Sequence, residues 1–214
     1  EGFYSTSFNT DPQKRKYYSD KIESVFSDKV QSEFNRVKSL GACFLVKQPG
    51  FQGEMPIHQD WTVVDEPDFD SVTIWVPLQD VNEHNGAIQV IPGSHRFSTA
   101  LRSPSLPDSF KDVQDEMKKD LKLLPMKAGE AFIFSQALLH ASPANNSASP
   151  RVVATFGLID KQAQLMFYHQ NEQAELEKYF VDENFFQQYN TQIGKRPQTG
   201  TLQDKTIYHQ QIVS

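Results

Sequence analysis

Ala131-Phe132-Ile133-Phe134-Ser135-Gln136-Ala137-Leu138-Leu139-His140-Ala141-Ser142, then a loop, then Arg151-Val152-Val153-Ala154-Thr155-Phe156-Gly157-Leu158-Ile159, is the stretch that decides the fold. Both runs are nearly continuous in apolar residues and the second is rich in β-branched ones, so they read as buried strands. The loop between them carries Pro143, Asn145, Asn146 and Pro150. Working outward, further short strands are expected at 42–47, 57–63, 72–78, 87–91 and 121–125, beside 130–134 and 151–159. Pro49-Gly50, Asn85-Gly86 and Pro92-Gly93 supply turns between them. Eight or so short strands with this punctuation predict a mainly β chain folded as a jelly roll or barrel.

Helical signals flank this region. Asp11-Pro12 reads as an N-cap followed by proline at the first helical position. Tyr18, Ile22, Val25, Phe26, Val30, Phe34 and Val37 then recur at three- and four-residue steps, with a break expected at Ser27-Asp28. The expected organisation is one domain over 1–214: helical support at about 11–40, a β core at about 42–160 and a C-terminal extension at 161–214. An insertion at about 98–121 carries Phe110, Val113, Met117 and Leu121 at helical spacing. Its many charges read as a solvated helix face rather than a lid. The aromatic pairs Tyr179-Phe180 and Phe185-Phe186 are expected to pack back on the core rather than to form a dimer contact.

The chemistry-bearing residues lie on the β runs. His58 and Asp60 occur in Met55-Pro56-Ile57-His58-Gln59-Asp60-Trp61. In an extended segment residues two apart share a face, so both could reach one metal while Gln59 points away. Alone, the pair also fits a surface histidine and a turn aspartate, and His140 alone also fits a satisfied core histidine. Together, two imidazoles and a carboxylate are the ligand set of a mononuclear non-haem Fe(II) centre with one open face. Arg151 opens a buried strand and needs an anionic partner. That partner is either an acid of the protein itself or a carboxylate ligand gripped through two parallel hydrogen bonds.

The chain resembles the phytanoyl-CoA dioxygenase family. The resemblance rests on His58-Gln59-Asp60-Trp61, Trp75-Val76-Pro77-Leu78, Asn85-Gly86-Ala87-Ile88, Ile91-Pro92-Gly93-Ser94-His95-Arg96, Gly129-Glu130-Ala131, His140-Ala141-Ser142 and Pro150-Arg151, in that order, from about Ala42 to Ile159. It implies a double-stranded β-helix (a cupin-like jelly roll) with flanking helices and Fe(II)- and 2-oxoglutarate-dependent oxygenase activity. On this resemblance His58, Asp60 and His140 are the iron ligands and the catalytic residues through the metal. Arg151 binds the distal carboxylate of 2-oxoglutarate, and Ser142 and Trp75 touch that cosubstrate. The implied reaction is hydroxylation of a small-molecule C–H bond with O2, releasing succinate and CO2; desaturation is the near alternative. Halogenases of this kind replace the carboxylate with a small residue, so an intact Asp60 disfavours halogenation. A non-catalytic or non-redox metal-binding jelly roll is the competing class, and Arg151 separates the two.

Composition narrows the partners. The chain has 214 residues, 38% of them hydrophobic, and a formal charge of −6, with no basic stripe for nucleic acid. No apolar run approaches the roughly 18 residues of a membrane span. A single cysteine, Cys43, excludes an internal disulfide framework and fits a reducing cytoplasm, where it reads as a small buried hydrophobe. Asn145-Asn146-Ser147 is formally a glycosylation sequon, taken as chance. The chain opens at Glu1, which fits a piece of a longer protein. His95 is read as part of a structural turn, and His84, His169 and His209 as lying in polar surroundings. The expected partner is a small-molecule substrate. Trp61 and Asp65 are its candidate contacts, an aromatic face beside a carboxylate that would suit an amine.

Overall fold

Period-two alternation in the longest strands assigns their faces, and with them the layers of the molecule. In the computed structural model, residues 2–50, 52–97, 100–189 and 192–209 are described. A five-stranded antiparallel sheet runs in the order β1 (Phe3–Ser5), β2 (Val37–Lys47), β9 (Arg151–Asp160), β4 (Ser71–Pro77), β7 (Phe132–Ser135). A four-stranded one runs β3 (Met55–His58), β8 (His140–Ser142), β5 (Gln89–Val90), β6 (Lys122–Leu123). Inward-facing Trp75, Phe134 and Val153 of the larger sheet pack with Ile88, Val90 and Leu138, closing the two sheets over one core. This is the jelly roll expected from the strand pattern.

The opposite face of the larger sheet is covered by a helix. Ile74, Val76, Phe156 and Leu158 meet Phe26, Val30 and Phe34 there. α1 (Pro12–Glu33) begins where Asp11 Oδ1 accepts from Gln13 N at 2.9 Å, with proline in its first turn. It runs through the expected break at Ser27-Asp28. Ser24 and Ser27 turn their hydroxyls onto carbonyls three residues back, which satisfies them without opening the helix.

Two further differences bear on the site. The 131–142 run is two strands, not one. Leu138 N bonds Ser135 O at 2.8 Å in a turn that carries the chain from the five-stranded to the four-stranded sheet. Ser94 Oγ then accepts from Leu139 N at 2.8 Å, pinning the start of β8. The strand expected at 57–63 ends at His58 instead.

Among its described residues the insertion forms a one-turn helix, α2 (Gln114–Met117), followed by a 3-10 turn at Lys118–Asp120. Phe110, Val113, Met117 and Leu121 pack on Ile57, Leu139 and Ala141, the face of the small sheet opposite His58 and His140, and its charges face solvent. The C-terminal extension forms β10 (Met166–Gln170), β11 (Glu175–Phe180), α3 (Glu183–Tyr189) and β12 (Thr201–Ile207). Tyr179, Phe185 and Tyr189 join Val63, Val64 and Phe167 in one buried cluster, so these aromatics do pack on the core. No helix among the described residues is long and apolar enough to cross a membrane.

Candidate metal centre

His58 and His140 are partners across the β3–β8 ladder, so strand pairing alone puts both imidazoles on one face. Their ring centroids lie 4.2 Å apart at 49°. Asp60 follows the end of β3, and its position is set by side chains rather than by strand geometry. Thr73 Oγ1 donates to Asp60 Oδ2 at 3.0 Å, and Arg102 Nε donates to Asp60 O at 2.8 Å. The guanidinium of Arg102 is in turn neutralised by Glu66. One ligand atom from each of His58, Asp60 and His140 falls within 4.8 Å of the others, a grouping able to hold one metal ion. Gln59 turns aside and donates to Ala137 O at 2.5 Å.

The tautomers suit that use. His58 Nδ1 faces Pro56 O at 2.8 Å and His140 Nδ1 faces Leu138 O at 2.9 Å. A carbonyl can only accept, so each Nδ1 carries the proton and each Nε2 offers a lone pair. Burial pushes the His140 pKa down to about 4, with help from His58 and against the pull of Asp60 and the Leu138 carbonyl. His140 is therefore neutral at pH 7, the state a metal requires.

Arg151 stands at the other end of the same cavity, which measures about 440 Å³. It is 2% exposed, and its Nε and Nη1 have no hydrogen-bond partner. Its guanidinium lies 5.7 Å from the Trp75 ring centroid, and no carboxylate pairs with it among the described residues. Burial alone draws its pKa down to about 10. An unpaired buried cation is unfavourable unless a ligand completes it. The donor set fits the distal carboxylate of a dicarboxylate. Ser142 and Trp75 line the cavity beside it.

Lys47 is the residue that sequence reading missed. It pairs with Arg151 across the β2–β9 ladder and is fully buried. Its Nζ donates to Ser142 O at 2.8 Å and to Pro143 O at 2.6 Å. Burial, then the charge of Arg151, lower its pKa to about 7, with Glu54 opposing. Gly86 leaves it room: a Cβ there would sit 2.8 Å from Pro143 O and 3.2 Å from Lys47 Cδ, and φ is +83°. The signal was its parity with Cys43 and Leu45 on the inner face of β2, in a position that otherwise reads as a strand end.

Trp61 lines the cavity and packs edge-on against Phe167 and Tyr189. Asp65 lies in a turn, its carbonyl accepting from Asp68 N and Phe69 N, and is not on the cavity wall. Cys43 is half-buried rather than buried, between Ser5 Oγ at 3.4 Å and Thr155 Oγ1 at 3.2 Å. His84, His95 and His209 are exposed, whereas His169 is buried in β10 opposite Glu177. Asn145 of the sequon is fully buried and donates to Lys47 O and Ser149 O.

The model of the phytanoyl-CoA dioxygenase (PhyH) family matches residues 4–153. Phytanoyl-CoA dioxygenase domain-containing protein 1 of Danio rerio is 31% identical over 157 residues, 70% of this chain and 53% of the relative. Phytanoyl-CoA dioxygenase 1 of Oryza sativa subsp. japonica is 27% identical over 158 residues, 71% of this chain and 54% of the relative. The chain thus spans about half the length of the curated relatives it matches. Among solved structures, the non-heme alpha ketoglutarate dependent carbocyclase SnoK from nogalamycin biosynthesis superposes with a TM-score of 0.57 at 19% identity, covering 76% of this chain and 65% of that one. EvdO2 from Micromonospora carbonacea var. aurantiaca, complexed with 2-oxoglutarate, superposes at 0.54 and 16% identity, covering 74% and 66%. These structures share the fold. The chain belongs to the phytanoyl-CoA dioxygenase family.

Proposed function

We propose that this member of the phytanoyl-CoA dioxygenase family is an Fe(II)- and 2-oxoglutarate-dependent dioxygenase that hydroxylates a C–H bond of a small molecule, with release of succinate and CO2. One observation carries the reading: a His-Asp-His cluster with both Nε2 lone pairs free shares a cavity with a buried guanidinium that no carboxylate of the described residues completes. A metal-binding module without a cosubstrate has no use for that cation.

His58 Nε2, the Asp60 carboxylate and His140 Nε2 would hold the iron and leave its opposite face open. Iron and 2-oxoglutarate, when bound, supply the activation of O2 and the oxidising power for the C–H bond. The protein's residues hold and shield. Thr73 fixes one carboxylate oxygen of Asp60, and Phe134 lies edge-on to His140 with centroids 5.0 Å apart. Arg151 would pair the far carboxylate of the cosubstrate, with Ser142 and Trp75 flanking it. Lys47 would add charge and tie down the carbonyls that follow β8. Largely apolar walls lower the local polarity and so strengthen each of these contacts.

The test is anaerobic addition of Fe(II) and then 2-oxoglutarate, read as the weak visible charge-transfer band of the chelate. The band is expected with wild-type protein. Iron demonstrably bound without it would leave a metal-binding jelly roll of another function.

A further inference from the structure

The cavity runs along the β2–β9 ladder, and its two ends differ in kind. At one end Arg151 pairs with Lys47; four residues on, Thr155 pairs with Cys43; at the other end Gly157 pairs with Gly41. Gly157 is also the ladder partner of Thr73, whose hydroxyl holds Asp60. The metal cluster therefore lies near the glycine end, and the space beyond it is the place left for a substrate. This location rests on the function proposed above.

The walls there are Leu40, Trp61, Val63 and Phe186, with Phe8 on the side, whereas Phe3 pairs with Lys47 at the Arg151 end. Among the described residues that line the whole cavity, the ionisable side chains are the three cluster residues, Arg151 and Cys43. Charged neighbours are turned elsewhere: Arg102 is paired with Glu66, and Asp65 sits in its own turn. A charged group taken into such walls would lose its hydration without a partner. The phosphates of an acyl-CoA would find no cation here, and an amine would find no free carboxylate.

One polar side chain of this end lacks a partner. Gln136 is 7% exposed and lines the cavity, and its Oε1 is buried without a hydrogen-bond partner. Its Nε2 lies 3.7 Å from where a Cβ on Gly157 would stand, which puts the amide at the glycine end. A buried carbonyl oxygen without a partner is rare and unfavourable unless a ligand satisfies it.

We propose that this end of the cavity takes an uncharged, largely apolar substrate carrying one hydrogen-bond donor such as a hydroxyl, and that Gln136 is the residue that reads that donor. Gly157 lets Leu40 pack close beneath it, since a Cβ there would stand 3.0 Å from Leu40 Cβ, and Trp61 supplies an aromatic wall.

The experiment is isothermal titration calorimetry with four probes of one ring system: 2-naphthylmethanol, 2-methylnaphthalene, 2-naphthylmethylamine and 2-naphthoate. Each is titrated into wild-type protein, Gln136→Leu and Phe8→Lys, all in the presence of saturating Fe(II) and 2-oxoglutarate under nitrogen, so that Arg151 and the cluster are already engaged. Wild type should bind the alcohol about tenfold more tightly than the amine or the acid. Gln136→Leu should lose about fivefold for the alcohol and nothing for methylnaphthalene. Phe8 is 43% exposed, so a charge is tolerated there, and Phe8→Lys should improve naphthoate binding about fivefold. Amine or acid binding as tight as the alcohol, or an unchanged alcohol affinity in Gln136→Leu, overturns the proposal. Naphthoate binding unchanged in Phe8→Lys overturns the placement. The charge-transfer band separates the two readings. A band without preference for the alcohol sinks this inference alone; the preference without a band sinks the oxygenase reading and leaves the apolar site standing.

Discussion

At the scale of single residues, the site depends on which atoms are left without partners. His140 has its Nδ1 occupied and its Nε2 free, while His95 is exposed on a turn. His140→Ala should therefore abolish Fe(II) binding, read by equilibrium dialysis, and His95→Ala should leave it unchanged. The reverse result would move the third ligand. No carboxylate among the described residues pairs with Arg151, so Arg151→Ala should weaken 2-oxoglutarate by about 2–5 kcal/mol, seen as a raised KM with Fe(II) affinity little altered. Arg151→Lys should be nearly as poor, because an ammonium cannot reproduce the planar two-point grip. An unaltered cosubstrate requirement in both variants would reduce Arg151 to a structural residue. The residue types of the cluster were legible in the sequence. Lys47 was not, because a lysine that closes an apolar run looks like a strand end until its partner strand shows that it points inward.

At the scale of elements, the turn Ile91-Pro92-Gly93-Ser94 does more than reverse the chain. Gly93 takes φ +82°, which lets Ser94 turn its hydroxyl to Leu139 N. That bond fixes the residue before His140 at the point where the chain changes sheets. Ser94→Ala leaves a buried N–H unpaired and should lower stability by about 1–3 kcal/mol in urea unfolding. It should also weaken Fe(II) binding, since β8 loses its anchor. Normal metal affinity in a destabilised variant would show that the turn supports the fold and not the site. The sheet change itself was not legible. Twelve residues, eight of them apolar, with a histidine near the end look like one strand, and only the ladder partners reveal two.

At the scale of the whole molecule, the C-terminal sheet clasps the wall that carries Trp61. Met166 N bonds Val63 O at 2.8 Å, and Phe167 and Tyr189 pack on the Trp61 ring. Glu177, 1% exposed, ties this sheet together through Arg196, Lys205, Tyr179 and Asn171. Burial pushes its carboxyl up, but hydrogen bonds from Tyr179, Lys205 and Asn171 and the charge of Arg196 outweigh this and take it down to about 2. A folded-state value below the ordinary 4.5 means stability that is full above pH 4.5 and lost as pH falls toward 2. Wild-type protein should therefore lose unfolding free energy over that window. Glu177→Gln should lose less there and be weaker at pH 7. Parallel pH profiles for the two proteins would contradict the assignment.

The sequence by itself determined the β class, the capped N-terminal helix, and the residue types His58, Asp60, His140 and Arg151. Each of these is written in local chemistry: period, turn dipeptides, an aspartate before a proline, ligand-type side chains at strand ends. The tertiary structure alone decided what required two strands to be seen side by side. It paired His58 with His140, set Lys47 opposite Arg151, held Asp60 from Thr73, and turned Asp65 off the cavity wall while leaving Gln136 on it. The physical reason is register. A strand's own period says which residues share a face, but only its partner's position says which face looks into the cavity and what meets it there.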